Sequence, residues 1–187
     1  MITKKLFGVS MAAGLALTCG AAFAQKNWSG YGAGANASQY SSLNQINKST
    51  VSKLEQAWFF PTPTQGGRFG FNPVVVDGVM FVMGPNNTVV ALDAATGKTI
   101  WTHGNEGGIT NRGITWWSNK SGSDQRLLYA ANSYLIAINA KTGNVIPSFG
   151  TDGRVNLREG LGRDPKTIGG IQSSTPGQIF EDLLIMG

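Results

Sequence analysis

The chain has 187 residues, of which 41% are hydrophobic and 13% charged, with a formal net charge of +5. That balance argues against charge-driven disorder, and the scattered lysines and arginines, with no basic run or basic helix, argue against a nucleic-acid binder. Twenty-six glycines beside five tryptophans and nine phenylalanines point to tight turns joining aromatic-rich strands rather than to a helical bundle.

Residues 1–24 read as a secretory signal peptide. Lys4 and Lys5 open it, Leu6 to Leu17 form an uncharged apolar stretch, and Ala22-Phe23-Ala24 places small residues at a cleavage site after Ala24. The apolar stretch is too short to cross a bilayer, so no transmembrane span is expected in the mature chain. Removal of Lys4 and Lys5 lowers the charge by two, to +3. The single cysteine, Cys19, leaves with the leader, so neither a disulfide nor a cysteine metal site is expected.

Residues 25–60 are an irregular lead-in. Trp28 to Gly34 is turn-rich, and Asn44, Asn47 and Ser49 favour turns and caps. Val51 to Trp58 predicts a short helical turn running into a strand at Ala57–Phe60. From Pro73 the pattern sharpens. Val74-Val75-Val76, Asp77-Gly78 and Val79 to Met83 predict a hairpin, because a type I′ turn needs two residues with positive φ. Pro85-Asn86-Asn87 turns into a third strand, Thr88–Leu92. Ala94-Ala95-Thr96-Gly97 turns into a fourth, Lys98–Thr102.

This unit then repeats. Ala91-Leu92-Asp93-Ala94-Ala95-Thr96-Gly97-Lys98 returns 46 residues later as Ala137-Ile138-Asn139-Ala140-Lys141-Thr142-Gly143-Asn144. Arg126–Ala130 and Tyr134–Ile138, joined by Asn132-Ser133, match the second and third strands. A third start follows Pro176, with Glu181-Asp182 not quite in register with Asp77-Gly78. Four strands in a period of the forties predict β-propeller blades, since one such sheet cannot bury both faces unless it stacks on the next. The expected fold is all-β: an incomplete β-propeller of about two and a half four-stranded blades, occupying residues 25–187 and stopping before the ring closes.

The repeat carries a motif, Ala91-x-Asp93-x-x-Thr96-Gly97-x-x-x-Trp101, that resembles the tryptophan-docking motif of the pyrroloquinoline-quinone-dependent (quinoprotein) glucose and alcohol dehydrogenases. Asp93 can accept backbone donors in the turn, and Trp101 offers a flat ring to pack between blades while its indole N–H finds a carbonyl. The second copy has Pro147 in place of the tryptophan, which predicts less regular docking there. Trp28-x-x-Tyr31-Gly32, Tyr40 to Asn47, Leu54-x-x-Ala57-Trp58, Asn111-Arg112-Gly113-x-x-x-Trp117 and Phe149-Gly150-x-x-Gly153-x-Val155-x-Leu157 resemble further segments of the same family.

The resemblance implies an eight-bladed ring holding pyrroloquinoline quinone (PQQ) with Ca²⁺ on its axis. It also implies a small-molecule alcohol, polyol or sugar substrate, an electron acceptor such as a cytochrome or quinone, and a periplasmic location. It assigns Arg112 to the cofactor's oxygens, and Ser174 or Thr175 to a cofactor carboxylate. Against these stand plainer readings, a surface Arg112 packed on Trp116 or Trp117 and an ordinary turn at Ser173-Ser174-Thr175. Gly70 stands where some members have a cofactor-contacting Glu, and Glu106-Gly107 where alcohol-oxidising members often have a cysteine pair. The family's calcium ligands and catalytic Asp fall beyond Gly187, so no catalytic or metal-ligating residue is assigned and the isolated chain is expected to be inactive. His103, the only histidine, reads as an exposed turn residue rather than a ligand. The competing class is a non-enzymatic periplasmic scaffold propeller of the outer-membrane assembly type. It would share the docking turn but has no use for Asn111-Arg112-Gly113.

Overall fold

The computed structural model describes residues 27–34, 36–62, 70–104 and 107–187. The expected leader, Cys19 and Glu106 lie outside them. Two four-stranded antiparallel sheets follow each other along the chain. The first blade holds β1 (Val74–Val76), β2 (Val79–Gly84), β3 (Thr88–Asp93) and β4 (Thr99–His103), and the second β5 (Thr115–Ser118), β6 (Gln125–Ala131), β7 (Tyr134–Asn139) and β8 (Arg154–Asn156). A third sheet begins with the hairpin of β9 (Gln178–Phe180) and β10 (Leu183–Ile185). Strand order equals chain order in both complete sheets, the meander expected of propeller blades.

The turns follow from residue type. Asp77 and Gly78 sit at φ 49° and 77°, the positive pair that matches hairpin twist. In the third sheet the turn falls at Glu181-Asp182, between paired Phe180 and Leu183, one residue later than the Pro73 repeat places it. Asp93 and Asn139 do the same work 46 residues apart. Asp93 Oδ1 accepts from Ala95 N at 3.1 Å and Thr96 N at 2.8 Å, and Asn139 Oδ1 from Lys141 N at 2.9 Å and Thr142 N at 3.1 Å.

The fourth strands differ between the blades. β4 pairs with β3 along its length, with one irregularity between Ala91 and Leu92. In the second blade Val145 makes a lone bridge to Ile138. The chain then leaves, and β8 resumes pairing opposite Tyr134–Ile136. Pro147 explains the break, because it has no N–H to give to a ladder. The strand expected at Ala57–Phe60 does not form; those residues carry no strand pairing.

The core lies between the blades. Leu92, Ile114, Leu127, Ile136, Ile138, Val74, Val89 and Val90 are buried almost completely, and each side chain of this size contributes about 1.5–3 kcal/mol by leaving water. Tryptophans bolt one sheet to the next. Trp101 Nε1 donates to Ala140 O at 3.2 Å, and its ring lies so close to Gly143 that a Cβ there would sit 2.6 Å from Trp101 Cε3. Trp58, in the lead-in, docks identically on the first blade: Nε1 donates to Ala94 O at 3.2 Å, and a Cβ on Gly97 would lie 2.6 Å from Trp58 Cδ2. Only glycine fits beneath either ring, and both glycines also need positive φ, 70° and 72°.

Candidate functional site at the inner rim

An antiparallel four-stranded blade places its β1–β2 and β3–β4 turns at one end. The β2–β3 turn and the crossing to the next blade lie at the other. Arg112 sits on the crossing before β5, and Ser174 and Thr175 on the crossing before β9, so topology brings all three sequence-assigned residues to the same end. The β6–β7 turn, Asn132-Ser133, is there too.

At that end the starts of three successive first strands touch. Asn72 and Gly113 form a parallel bridge, and a Cβ on Gly113 would meet Asn72 O at 3.2 Å and Pro176 Cγ at 3.5 Å. Thr115 Oγ1 donates to Gly177 O at 2.8 Å. The Arg112 peptide is clamped beside this junction, its carbonyl accepting from Asn72 N at 3.1 Å and Asn72 Nδ2 at 3.2 Å. The Arg112 side chain is exposed. The cation over Trp117 is Arg126, 5.2 Å from the ring centroid, and Arg126 is held in turn by Asp124. That guanidinium holds the Asp124 carboxyl below the usual carboxylate range.

Beside Arg112 opens a cleft of about 320 Å³, walled by Gly108 to Asn111, Ala130 to Asn132 and Ile171 to Ser174. Ser174 lines it and is exposed; Thr175 is half-buried and is not among the lining residues. Ser173 is buried, with Oγ 2.8 Å from Thr175 O and 3.0 Å from Gly187 O, so its hydroxyl is committed to backbone and Ser174 is left open to a ligand. Thr110 was not singled out from sequence. It is 4% exposed, and its buried hydroxyl has no hydrogen-bond partner among the described residues. Asn132 and Gln172 were missed as well. Nothing local in the sequence marks them, since they reach the cleft only when the two crossings converge on the β6–β7 turn. No Asp or Glu is among the described residues that line the cleft.

Gly70 is exposed and is tied to this region by Asn111 O, 3.8 Å from an added Cβ, and by its carbonyl, which accepts from Asn72 Nδ2 at 3.4 Å. His103 is not an exposed turn residue. It ends β4, is half-buried, and its ring meets Tyr129 edge-on at 6.5 Å. Among the described residues no group of three or more His, Cys, Asp or Glu side chains comes together as a metal site. No helix among them is long and apolar enough to cross a membrane.

Sequence comparison decides the family. Residues 28–187 match the glucose/ethanol/alcohol dehydrogenase β-propeller domain, a PQQ family. The chain belongs to the PQQ-dependent dehydrogenase propeller family. This quinoprotein propeller chain is 32% identical over 173 residues to the quinate/shikimate dehydrogenase (quinone) of Acinetobacter baylyi, covering 76% of the chain and 21% of that protein. It is 36% identical over 135 residues to the dehydrogenase subunit of an alcohol dehydrogenase (quinone) from Komagataeibacter europaeus, covering 67% and 18%. In structure it resembles the quinohemoprotein alcohol dehydrogenase of Comamonas testosteroni, with TM-score 0.63 and 28% identity over 86% of the chain and 23% of that enzyme. The quinoprotein chain therefore spans about a fifth of the length of the curated relatives it matches.

Proposed function

We propose that these residues form part of the cofactor wall of a PQQ-dependent dehydrogenase that oxidises an alcohol, polyol or sugar. The observation that carries this reading is the placement of Arg112. Its peptide is clamped where three first strands meet, next to a cleft with no carboxylate among its described lining residues. PQQ is a tricarboxylate, and a guanidinium presents paired N–H donors to a planar oxyanion. Ser174 adds a free hydroxyl, and Asn132 and Gln172 contribute amides on the cleft wall. The donor set thus fits the group. Bound there, PQQ would supply a two-electron acceptor for substrate oxidation. The chain's own residues would bind it, orient it and keep bulk water from one side.

The docking turns alone would serve a scaffold equally well; Asn111-Arg112-Gly113 at the rim favours the enzyme. The relatives carry the names of quinate or shikimate, alcohol, glycerol and glucose dehydrogenases, which share a hydroxyl-bearing substrate. Ca²⁺ belongs to this reading as the family's metal, with ligands expected outside these residues. No general base is assigned within the 187 residues, and by themselves they are expected to bind cofactor without turning over. Export by residues 1–24 would place the protein in the periplasm, where a cytochrome or quinone would receive the electrons.

The test is quenching of tryptophan fluorescence by PQQ. Arg112→Ala should weaken binding about tenfold to a hundredfold, the value of a hydrogen bond to a charged group. Equal affinity in the two proteins would remove the assignment.

A further inference from the structure

A second guanidinium stands beside the cofactor cleft. Arg158 follows β8 at the base of the long crossing that runs to β9, and Ser133 pins both ends of that crossing. Its carbonyl accepts from Leu157 N at 2.9 Å, and its Oγ accepts from Ile171 N at 2.8 Å. Between these anchors Arg158 Nε reaches across the loop to Ile168 O at 3.2 Å and Gly169 O at 3.0 Å.

That leaves the ends of the fork. A guanidinium carries five N–H donors. Arg158 commits only Nε, and its two terminal amino groups have no partner among the described residues. They are not sealed in the protein, because no Arg158 nitrogen is both buried and unsatisfied. The side chain is half-buried and lines an open cleft with Asn132, Ser133, Gly170 and Gln172. No carboxylate is among the described residues that line this cleft. The adjacent Glu159 is engaged elsewhere, its Oε1 accepting from Asn156 Nδ2 at 3.3 Å. Asn132 and Gln172 line this cleft and the cofactor cleft alike, so the two are adjacent.

We infer that Arg158, with the Gln172 amide, forms a carboxylate-binding subsite at the edge of the cofactor cleft, selecting hydroxycarboxylates over neutral polyols. Three features carry it: a guanidinium fixed in direction by two loop carbonyls, a cleft with no carboxylate among its described lining residues, and two lining residues shared with the cofactor cleft. A planar carboxylate is the ligand that a pre-oriented fork recognises with two parallel hydrogen bonds. A neutral polyol would gain only single, water-replacing bonds. The subsite's role toward substrate rests on the cofactor reading above; its anion binding does not.

The test is amide NMR of the full chain titrated with gluconate and, separately, with the uncharged sorbitol. Gluconate should shift the amides of Ser133, Gly170 and Gln172, with affinity falling as salt rises; sorbitol should not. Arg158→Gln should weaken gluconate about tenfold or more. Because Arg158 also holds the loop, Gln172→Ala serves as a second variant that keeps Ile168, Gly169 and Ser133 bonded, and it too should weaken gluconate. Arg112→Ala should leave gluconate unchanged while weakening PQQ, which separates failure of the cofactor reading from failure of this one. Equal gluconate and sorbitol binding, no shift at these amides, or gluconate affinity unchanged in both Arg158→Gln and Gln172→Ala would overturn the inference.

Discussion

Gly143→Ala isolates the joint between blades. The added Cβ would lie 2.6 Å from Trp101 Cε3 and 2.8 Å from Cδ2, against a ring whose N–H is already held by Ala140 O. The ring cannot withdraw without losing that bond. Overpacking of this kind costs about 1–3 kcal/mol, and an L-residue held at the φ of 72° adds about 1 kcal/mol. The expected loss is therefore about 2–4 kcal/mol. A double-mutant cycle with Trp101→Leu, read by urea unfolding followed by far-UV circular dichroism, separates the two parts. With the indole gone, Gly143→Ala should cost only the backbone part, about 1 kcal/mol. A cycle that is additive within about 0.5 kcal/mol would refute the claim that the ring is what forbids a side chain there.

Two further outcomes are expected. The Thr96 hydroxyl, with the Thr96 and Ala95 amides, holds the Asp93 carboxyl below its usual range. A carboxylate of lowered pKa contributes stability above its unfolded value, about 3.9, and loses it as pH falls through the folded value. Asp93→Asn should therefore lower the urea midpoint at pH 7, and the gap to the parent should narrow as the pH falls below about 3.9; a gap that stays constant would exclude the linkage. The paired serines should separate stability from binding. Ser173→Ala strips a buried hydroxyl from Thr175 O and Gly187 O and should cost about 1 kcal/mol. Ser174→Ala should leave the unfolding midpoint alone and weaken PQQ, and the reverse pattern would exchange their roles.

The blades were legible because their signals are local. Asp77-Gly78 states its own turn, and the Ala-x-Asp/Asn-x-x-Thr-Gly repeat states its period. Contacts between blades were legible only where a motif encoded them. Trp101 revealed its docking through Thr96-Gly97, but Trp58 hid the same behaviour, because no strand pairing and no repeat unit surrounds it; its signal was the 43-residue spacing to Trp101. Pro147 warned of irregularity without saying where pairing would resume. At the candidate site, Arg112, Ser174 and Thr175 were assigned through resemblance. Thr110, Asn132 and Gln172 depend on which loops converge, and convergence is set by sheet stacking rather than by neighbours in sequence.

The double hold of Asn72 on the Arg112 carbonyl has a consequence for protein engineering. The Arg112 carbonyl is held by a residue forty positions upstream, on the approach to the preceding blade. Transplanting Asn-Arg-Gly into another loop would move the charge without its mooring. Conversely, trimming Asn72 to alanine should loosen the junction by removing one of the two bonds, while the Asn72 N–H bond to Arg112 O remains.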